Sequence, residues 1–112
     1  MSPRDRGLFP GTVDLVILKT LSDGPMHGFS ISRTLRDESE GVLDLQDAAL
    51  YQALHRIERQ GWIESEWGVS ENNRRAKFYH LTAAGHRRLD KETSSFKRYA
   101  SAVFKVLGAE AP

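Results

Sequence analysis

The sequence predicts a mainly α-helical domain with one small β-hairpin. Residues 13–60 carry apolar side chains at helical spacing, broken at Ser22-Asp23-Gly24-Pro25 and again at Glu40 to Leu45. Trp62 to Leu81 holds two alternating runs around a polar turn, and a long amphipathic stretch follows Thr82. A short helix ending at Gly61 and running straight into a hairpin with a cationic tip is the pattern of a helix for one DNA groove with a wing beside it. The expected fold is a winged helix-turn-helix plus a C-terminal dimerisation helix. The expected organisation is a flexible N-terminal arm over 1–11, a winged helix-turn-helix DNA-binding domain over 12–82 and a dimerisation helix over 83–112.

The chain has 112 residues, 39% of them hydrophobic and 28% charged, which fits an ordinary globular domain and favours neither disorder nor a membrane class. One domain of this size has a high ratio of surface to volume, so its stability is expected to lean on a partner chain. There are no cysteines, which excludes a disulfide framework, a thiolate nucleophile and a Cys-based zinc site, and fits a reducing compartment. The longest apolar run, Leu15 to Leu18, cannot cross a bilayer, and Met1 to Pro10 lacks the apolar stretch of a signal peptide, so no membrane partner and a cytoplasmic location are expected. Net charge is +1 but unevenly spread: acids outnumber bases before Tyr51, and Lys and Arg dominate after it, concentrated at Arg74, Arg75 and Lys77 and then at Arg87 and Arg88.

Thr12 is a suitable cap for a first helix over Val13 to Leu21, apolar on more than one side and hence core. Gly24 and Pro25 stop it. A second helix, about Gly28 to Ser39, has Phe29, Ile31 and Leu35 on an apolar side and Ser30, Arg33, Arg36 and Asp37 on a polar one. Val42-Leu43-Asp44-Leu45 reads as a short strand or as a loop with anchoring side chains, the strand being preferred. Asp47 is a good N-cap for a third helix running to Gln60, with Gly61 as its C-terminal cap.

At about 100° of rotation per residue, Leu50, Ala53, Leu54 and Ile57 of this third helix share one sector. Opposite lie Ala48, Gln52, His55 and Arg59, flanked by Tyr51 and Arg56, a face of small, amide, imidazole and guanidinium groups able to read base edges and grip phosphates. Alone it reads equally as a solvent face; the adjoining hairpin favours DNA. Trp62 to Trp67 alternates, Trp62, Glu64 and Glu66 against Ile63, Ser65 and Trp67. Gly68 to Arg75 has turn composition, and Ala76 to Leu81 alternates again, leaving Arg74 and Arg75 just past the tip to meet a phosphate or a minor groove. Thr82 caps a last helix continuing beyond Val106, on which Leu89, Phe96, Ala100, Val103, Phe104 and Leu107 form a stripe. A symmetric dimer covers it economically; the alternative is that it folds back on the first helix.

Gly24-Pro25-Met26-His27-Gly28-Phe29, Leu50-Tyr51-Gln52-Ala53-Leu54-His55-Arg56-Ile57-Glu58, Gly61-Trp62-Ile63, Asn72-Asn73-Arg74-Arg75-Ala76-Lys77-Phe78-Tyr79 and Leu81-Thr82-Ala83-Ala84-Gly85 resemble, in this order, the PadR family of bacterial transcriptional regulators, over about Gly11 to Leu107. The resemblance implies a two-fold homodimer formed by the C-terminal helix, binding a palindromic operator in double-stranded DNA, usually as a repressor released by a small effector or a stress signal. It places the third helix in the major groove and makes Asn72 to Lys77 the wing. The DNA-binding set is then Ala49, Tyr51, Gln52, His55, Arg56, Arg59, Asn72, Asn73, Arg74, Arg75 and Lys77. The chain departs from the family where Gly-Ser commonly precedes Leu-Tyr and a proline follows it: here stand Ala48, Ala49 and Gln52. A serine hydroxyl that donates to phosphate is lost, Asp47 brings a carboxylate near the DNA edge, and Gln52 adds a group able to bond adenine bidentately, so an altered operator preference is expected.

Trp62 and Trp67 read as core or hairpin packing, or as the lining of a pocket for a small aromatic effector. Tyr51 either bonds a phosphate or packs beside the core, and His27 reads as a structural or capping residue. His27, His55, His80 and His86 form no zinc-protease spacing or acid–base set and there is no glycine-rich phosphate loop, so neither catalysis nor a cofactor or metal is expected. A winged-helix protein-interaction module with weak or lost DNA binding is the alternative, against which the basic wing argues.

Overall fold

The structure is a computed structural model and describes residues 11–108. Most of the arm expected over 1–11 therefore lies outside the described residues, as does the end of the last helix segment. Four helices, α1 (Thr12–Leu21), α2 (Gly28–Glu38), α3 (Asp47–Arg59) and α4 (Ala83–Leu107), surround a small sheet of β1 (Met26–His27), β2 (Ile63–Val69) and β3 (Arg75–Leu81). The sheet is antiparallel with strand order β1-β3-β2. This is the mainly α winged-helix architecture expected.

Ile17, Leu18, Ile31, Leu50, Leu54, Ile57 and Ile63 are fully buried and form the centre of the core. α1 touches α2, α3, α4 and β3, which is why its apolar residues are not confined to one stripe. On α3 the predicted sector, Leu50, Ala53, Leu54 and Ile57, is the buried one. Gly61, at φ 80°, ends that helix: its N–H donates to the Glu58 carbonyl at 3.0 Å and the Trp62 N–H donates to the Ile57 carbonyl at 3.2 Å. These paired bonds satisfy carbonyls the helix leaves open and turn the chain directly into β2. Thr82 ties the two ends of the hairpin together. Its Oγ1 accepts from the Gly85 N–H at 3.0 Å as the cap of α4 and donates to the Gly61 carbonyl at 2.6 Å.

Several local expectations are corrected. Thr12 is the first helical residue of α1 rather than its cap; Gly11, at φ 87°, takes the cap position without a side-chain bond. Gln46 precedes α3, and Asp47 is its first residue, where a carboxylate still meets the positive end of the helix dipole. Val42 to Leu45 is not a strand. The Ser39–Gly41 turn claims its amides, with Leu43 N–H donating to Ser39 Oγ at 2.8 Å and Val42 N–H to the Ser39 carbonyl at 3.2 Å, while Leu45 is buried as an anchor. The third strand is Met26–His27, paired with Tyr79 and Phe78 on the free edge of β3. Phe29 is not core: it is 64% exposed, because two helical steps from Ile31 turn it about 200° away from the buried Ile31 and Leu35.

α4 is about 37 Å long at 1.5 Å per residue. Only its first turns join the core, through Gly85 and Leu89. Leu89 is 7% exposed, so it belongs to the core of its own chain and has little surface to give to a dimer stripe. Beyond it, Phe96, Tyr99, Val103, Val106 and Leu107 stay exposed. Leu15 and Thr12 of α1 form one wall of a groove of about 700 Å³ whose other wall is Phe96, Tyr99, Ala100, Val103, Phe104 and Leu107. Contact with the first helix thus exists without covering the stripe.

Candidate nucleic-acid interface

The polar side of α3 is open along its length: Ala48, Ala49, Gln52, His55 and Arg59 are all exposed. The helix is held in place by its flanks. On one side the Tyr51 ring lies over Gly28 at the start of α2, so close that a Cβ at Gly28 would fall 2.8 Å from Tyr51 Cζ. On the other, Arg56 makes a two-pronged pair with Asp14 of α1: Nε donates to Oδ2 at 3.3 Å and Nη2 donates to Oδ1. The bond and charge of Asp14 push the Arg56 pKa above its ordinary value. At the C-terminal end Ser65 Oγ of β2 donates to Glu58 at 2.6 Å. Three neighbours therefore fix how far α3 projects. Arg56, a member of the DNA-binding set expected from the sequence, has its fork occupied by Asp14.

The hairpin tip closes over Ser70 to Arg74. The Ser70 N–H donates to the Arg74 carbonyl at 2.8 Å and the Asn73 N–H to the Ser70 carbonyl at 2.9 Å, with Asn73 at φ 58°. Asparagine tolerates that left-handed conformation better than most side chains, so Asn73 has a turn-shaping role in addition to its exposure. Asn72, Arg74 and Arg75 are exposed and Lys77 is half-buried. The Arg75 guanidinium lies 4.8 Å from the Trp67 ring centroid. In the β2–β3 register Trp67 faces Lys77 and Val69 faces Arg75, so two cations and two apolar residues share the outer half of one face.

Between that face and the start of α2 runs a groove of about 830 Å³, lined by Phe29, Ser30, Arg33, Tyr51, Trp67, Asn72, Arg74, Arg75 and Lys77 among others. Arg33 and Phe29 are the residues that sequence reasoning missed. Arg33 was legible as one of the polar residues of α2, but only the fold brings it to the wing. His27 shapes the floor. It caps α2, Nδ1 accepting from the Ser30 N–H at 3.4 Å, and sets its ring edge-on to Phe78 at 5.4 Å between centroids. Its capping role is as expected. Glu71 is the acidic residue in the same lining.

Trp62 and Trp67 do not share a pocket. Trp62 lies under Arg88, 4.6 Å from ring centroid to guanidinium, in a recess with Asp14, Leu18 and Glu92 between α1 and α4. Trp67 is 60% exposed at the wing. An odd spacing of five residues along extended chain points the two rings to opposite sides. Among the described residues no cluster of His, Cys, Asp or Glu is arranged to hold a metal ion, and no helix is long and apolar enough to cross a membrane.

The model of the PadR-like family of transcriptional regulators matches residues 17–91, well over half the chain, from the centre of α1 into α4. The chain belongs to that PadR-like family. Solved structures agree with the assignment. A transcriptional regulator from Clostridium thermocellum superposes with a TM-score of 0.77 at 27% identity, covering 85% of this chain and 89% of that one. A PadR family transcription regulator from Clostridium difficile superposes at 0.73 with 27% identity, over 87% and 98%. A Streptomyces fradiae protein of 37.1 kDa, carried in a transposon and uncharacterised, is 32% identical over 81% of this chain but only 25% of its own length.

Proposed function

We propose that this PadR-like chain is a sequence-specific DNA-binding transcriptional regulator acting as a homodimer on a palindromic operator. One observation carries the reading: Ala48, Gln52, His55 and Arg59 form an exposed row on α3, and Tyr51 of the same helix lines a groove together with the cations Arg33, Arg74, Arg75 and Lys77. Gln52, His55 and Arg59 supply donors and acceptors for base edges, and the groove between the wing and the start of α2 takes the phosphate backbone. Tyr51, half exposed above that groove, contributes a hydroxyl to it. The apolar stripe Phe96, Ala100, Val103, Phe104 and Leu107 is covered by the same stripe of a second copy, since a two-fold contact pairs a patch with itself. Two α3 helices then enter successive major grooves roughly 34 Å apart. We further propose that binding represses transcription in the cytoplasm and is released by a small effector.

Selection of bound duplexes from a random DNA pool tests the reading. The expected product is an inverted repeat with half-sites about 10 base pairs apart, centre to centre. An unenriched pool together with salt-insensitive binding would instead identify a winged-helix protein-interaction module.

A further inference from the structure

The flank of α3 that faces α1 carries the inference. Arg56 sits about 70° round the helix from the middle of the Ala48, Gln52, His55 and Arg59 row. That is the edge of the reading face, where an arginine on a helix inserted in a groove meets the backbone of the duplex. Asp14 occupies both prongs of its fork instead. The side chains are 48% exposed for Arg56 and 30% for Asp14, so the pair is open to solvent and within reach of a competing phosphate. A guanidinium moving from carboxylate to phosphate exchanges one two-pronged charged bond for another and leaves Asp14 as an unpaired anion beside the polyanion. The exchange brings no net attraction.

We propose that Asp14 is an intramolecular competitor for DNA phosphate: by holding Arg56 it withholds one backbone contact and lowers the affinity of the chain for duplexes of any sequence. This rests on the DNA-binding reading of the α3 face. The base-reading row is untouched, so discrimination between sequences is unaffected while the absolute affinity falls. Each phosphate neutralised steepens the fall of log K with log salt by about 0.9, so one withheld contact has a definite signature.

The test uses the full chain, a fluorescently labelled duplex of arbitrary sequence, and anisotropy titrations between about 50 and 200 mM salt. Asp14→Asn is expected to bind tighter at the low end and to show a slope steeper by about 0.9, so that the fourfold rise in salt weakens it about 3.5-fold more than the wild type. Arg56→Gln keeps close to the wild-type slope, and Asp14→Asn combined with Arg56→Gln loses the gain. Asp14→Ser, checked for folding by thermal melting, repeats the result with a different side chain. The proposal is overturned by an unchanged slope in both Asp14 variants, by a gain that survives in the double variant, or by a shallower slope in Arg56→Gln alone. Wild-type protein that binds no duplex in a salt-dependent way would overturn the DNA-binding reading itself, and the proposal with it; the other outcomes strike the proposal alone.

Discussion

Gly28→Ala separates the role of Tyr51 in binding from its role in packing. The added Cβ would lie 2.8 Å from Tyr51 Cζ and 3.0 Å from Cε1, inside van der Waals contact. The obstructing atoms are the far end of a side chain that is 49% exposed, so Tyr51 can swing outward while the backbone stays put. Losing the remaining cover of the ring costs about 0.5–1 kcal/mol. Replacing glycine by alanine at the start of a helix returns about 0.5 kcal/mol. The melting temperature should therefore move by less than about 5 °C. DNA affinity should respond more. A hydroxyl–phosphate bond to a charged acceptor is worth about 1.5 kcal/mol, or roughly tenfold. Tyr51→Phe should lose the same tenfold, the two changes together no more than either alone, and none should alter the salt slope, because a neutral hydroxyl releases no counterion. Anisotropy at several salt concentrations, alongside thermal melts, reads all of this. Wild-type affinity in Gly28→Ala, or a melt lowered by more than about 10 °C, would show that Tyr51 neither reaches the backbone nor swings aside as argued.

The remaining predictions follow from other contacts. Neutralising Arg74 or Arg75 to Gln should weaken binding to all duplexes alike and shallow the salt slope by about 0.9 each; a loss confined to one base position would mean base contact instead. Gln52→Ala should change which base is preferred at one position of each half-site, and unchanged preference would remove Gln52 from the reading set. Gly85→Ala puts a Cβ 2.9 Å from the Trp62 carbonyl carbon, which is backbone and already bonded through its oxygen to the Thr82 N–H, so a loss of about 3 kcal/mol is expected in denaturant unfolding. Tyr79 has its pKa raised by burial, with Glu58 and Tyr51 adding to the effect. Its contribution to stability is thus full below about pH 10 and is lost as pH rises through the higher folded value; Tyr79→Phe should flatten unfolding curves measured across that alkaline range.

The winged helix was legible in the chain because its signals are local. Helical spacing, the Gly61 stop, the Asn72-Asn73 turn and the Thr82 cap each act within a few residues, and each is found in the structure at the expected place. The strand at Met26–His27 was not legible: two residues have no period, and they become a strand only because β3 offers a free edge beside them. Phe29 misled because an aromatic residue reads as core, whereas its position on α2 points it at the wing groove. The partner of Arg56 was not legible for a related reason. Its place on the edge of α3 is fixed by helical phase, but Asp14 lies forty-two residues away in sequence, and no local rule announces a bond across that distance.

On the DNA-binding reading proposed above, the flanks of α3 leave base reading to the middle of its exposed side. Tyr51 is committed toward α2, Arg56 toward α1 and Glu58 toward β2. A helix held on both flanks cannot roll freely about its axis. What remains facing outward is Ala48, Gln52, His55 and Arg59, with Ala49 beside them. The two alanines contribute no polar group, and their small size lets the helix start approach the duplex closely. Asp47, at the same end, is stabilised by the helix dipole yet repels phosphate. Close approach at that end is therefore favoured by shape and opposed by charge. On the DNA-binding reading proposed above, that balance leaves base contact to Gln52, His55 and Arg59, in the second to fourth turns of α3.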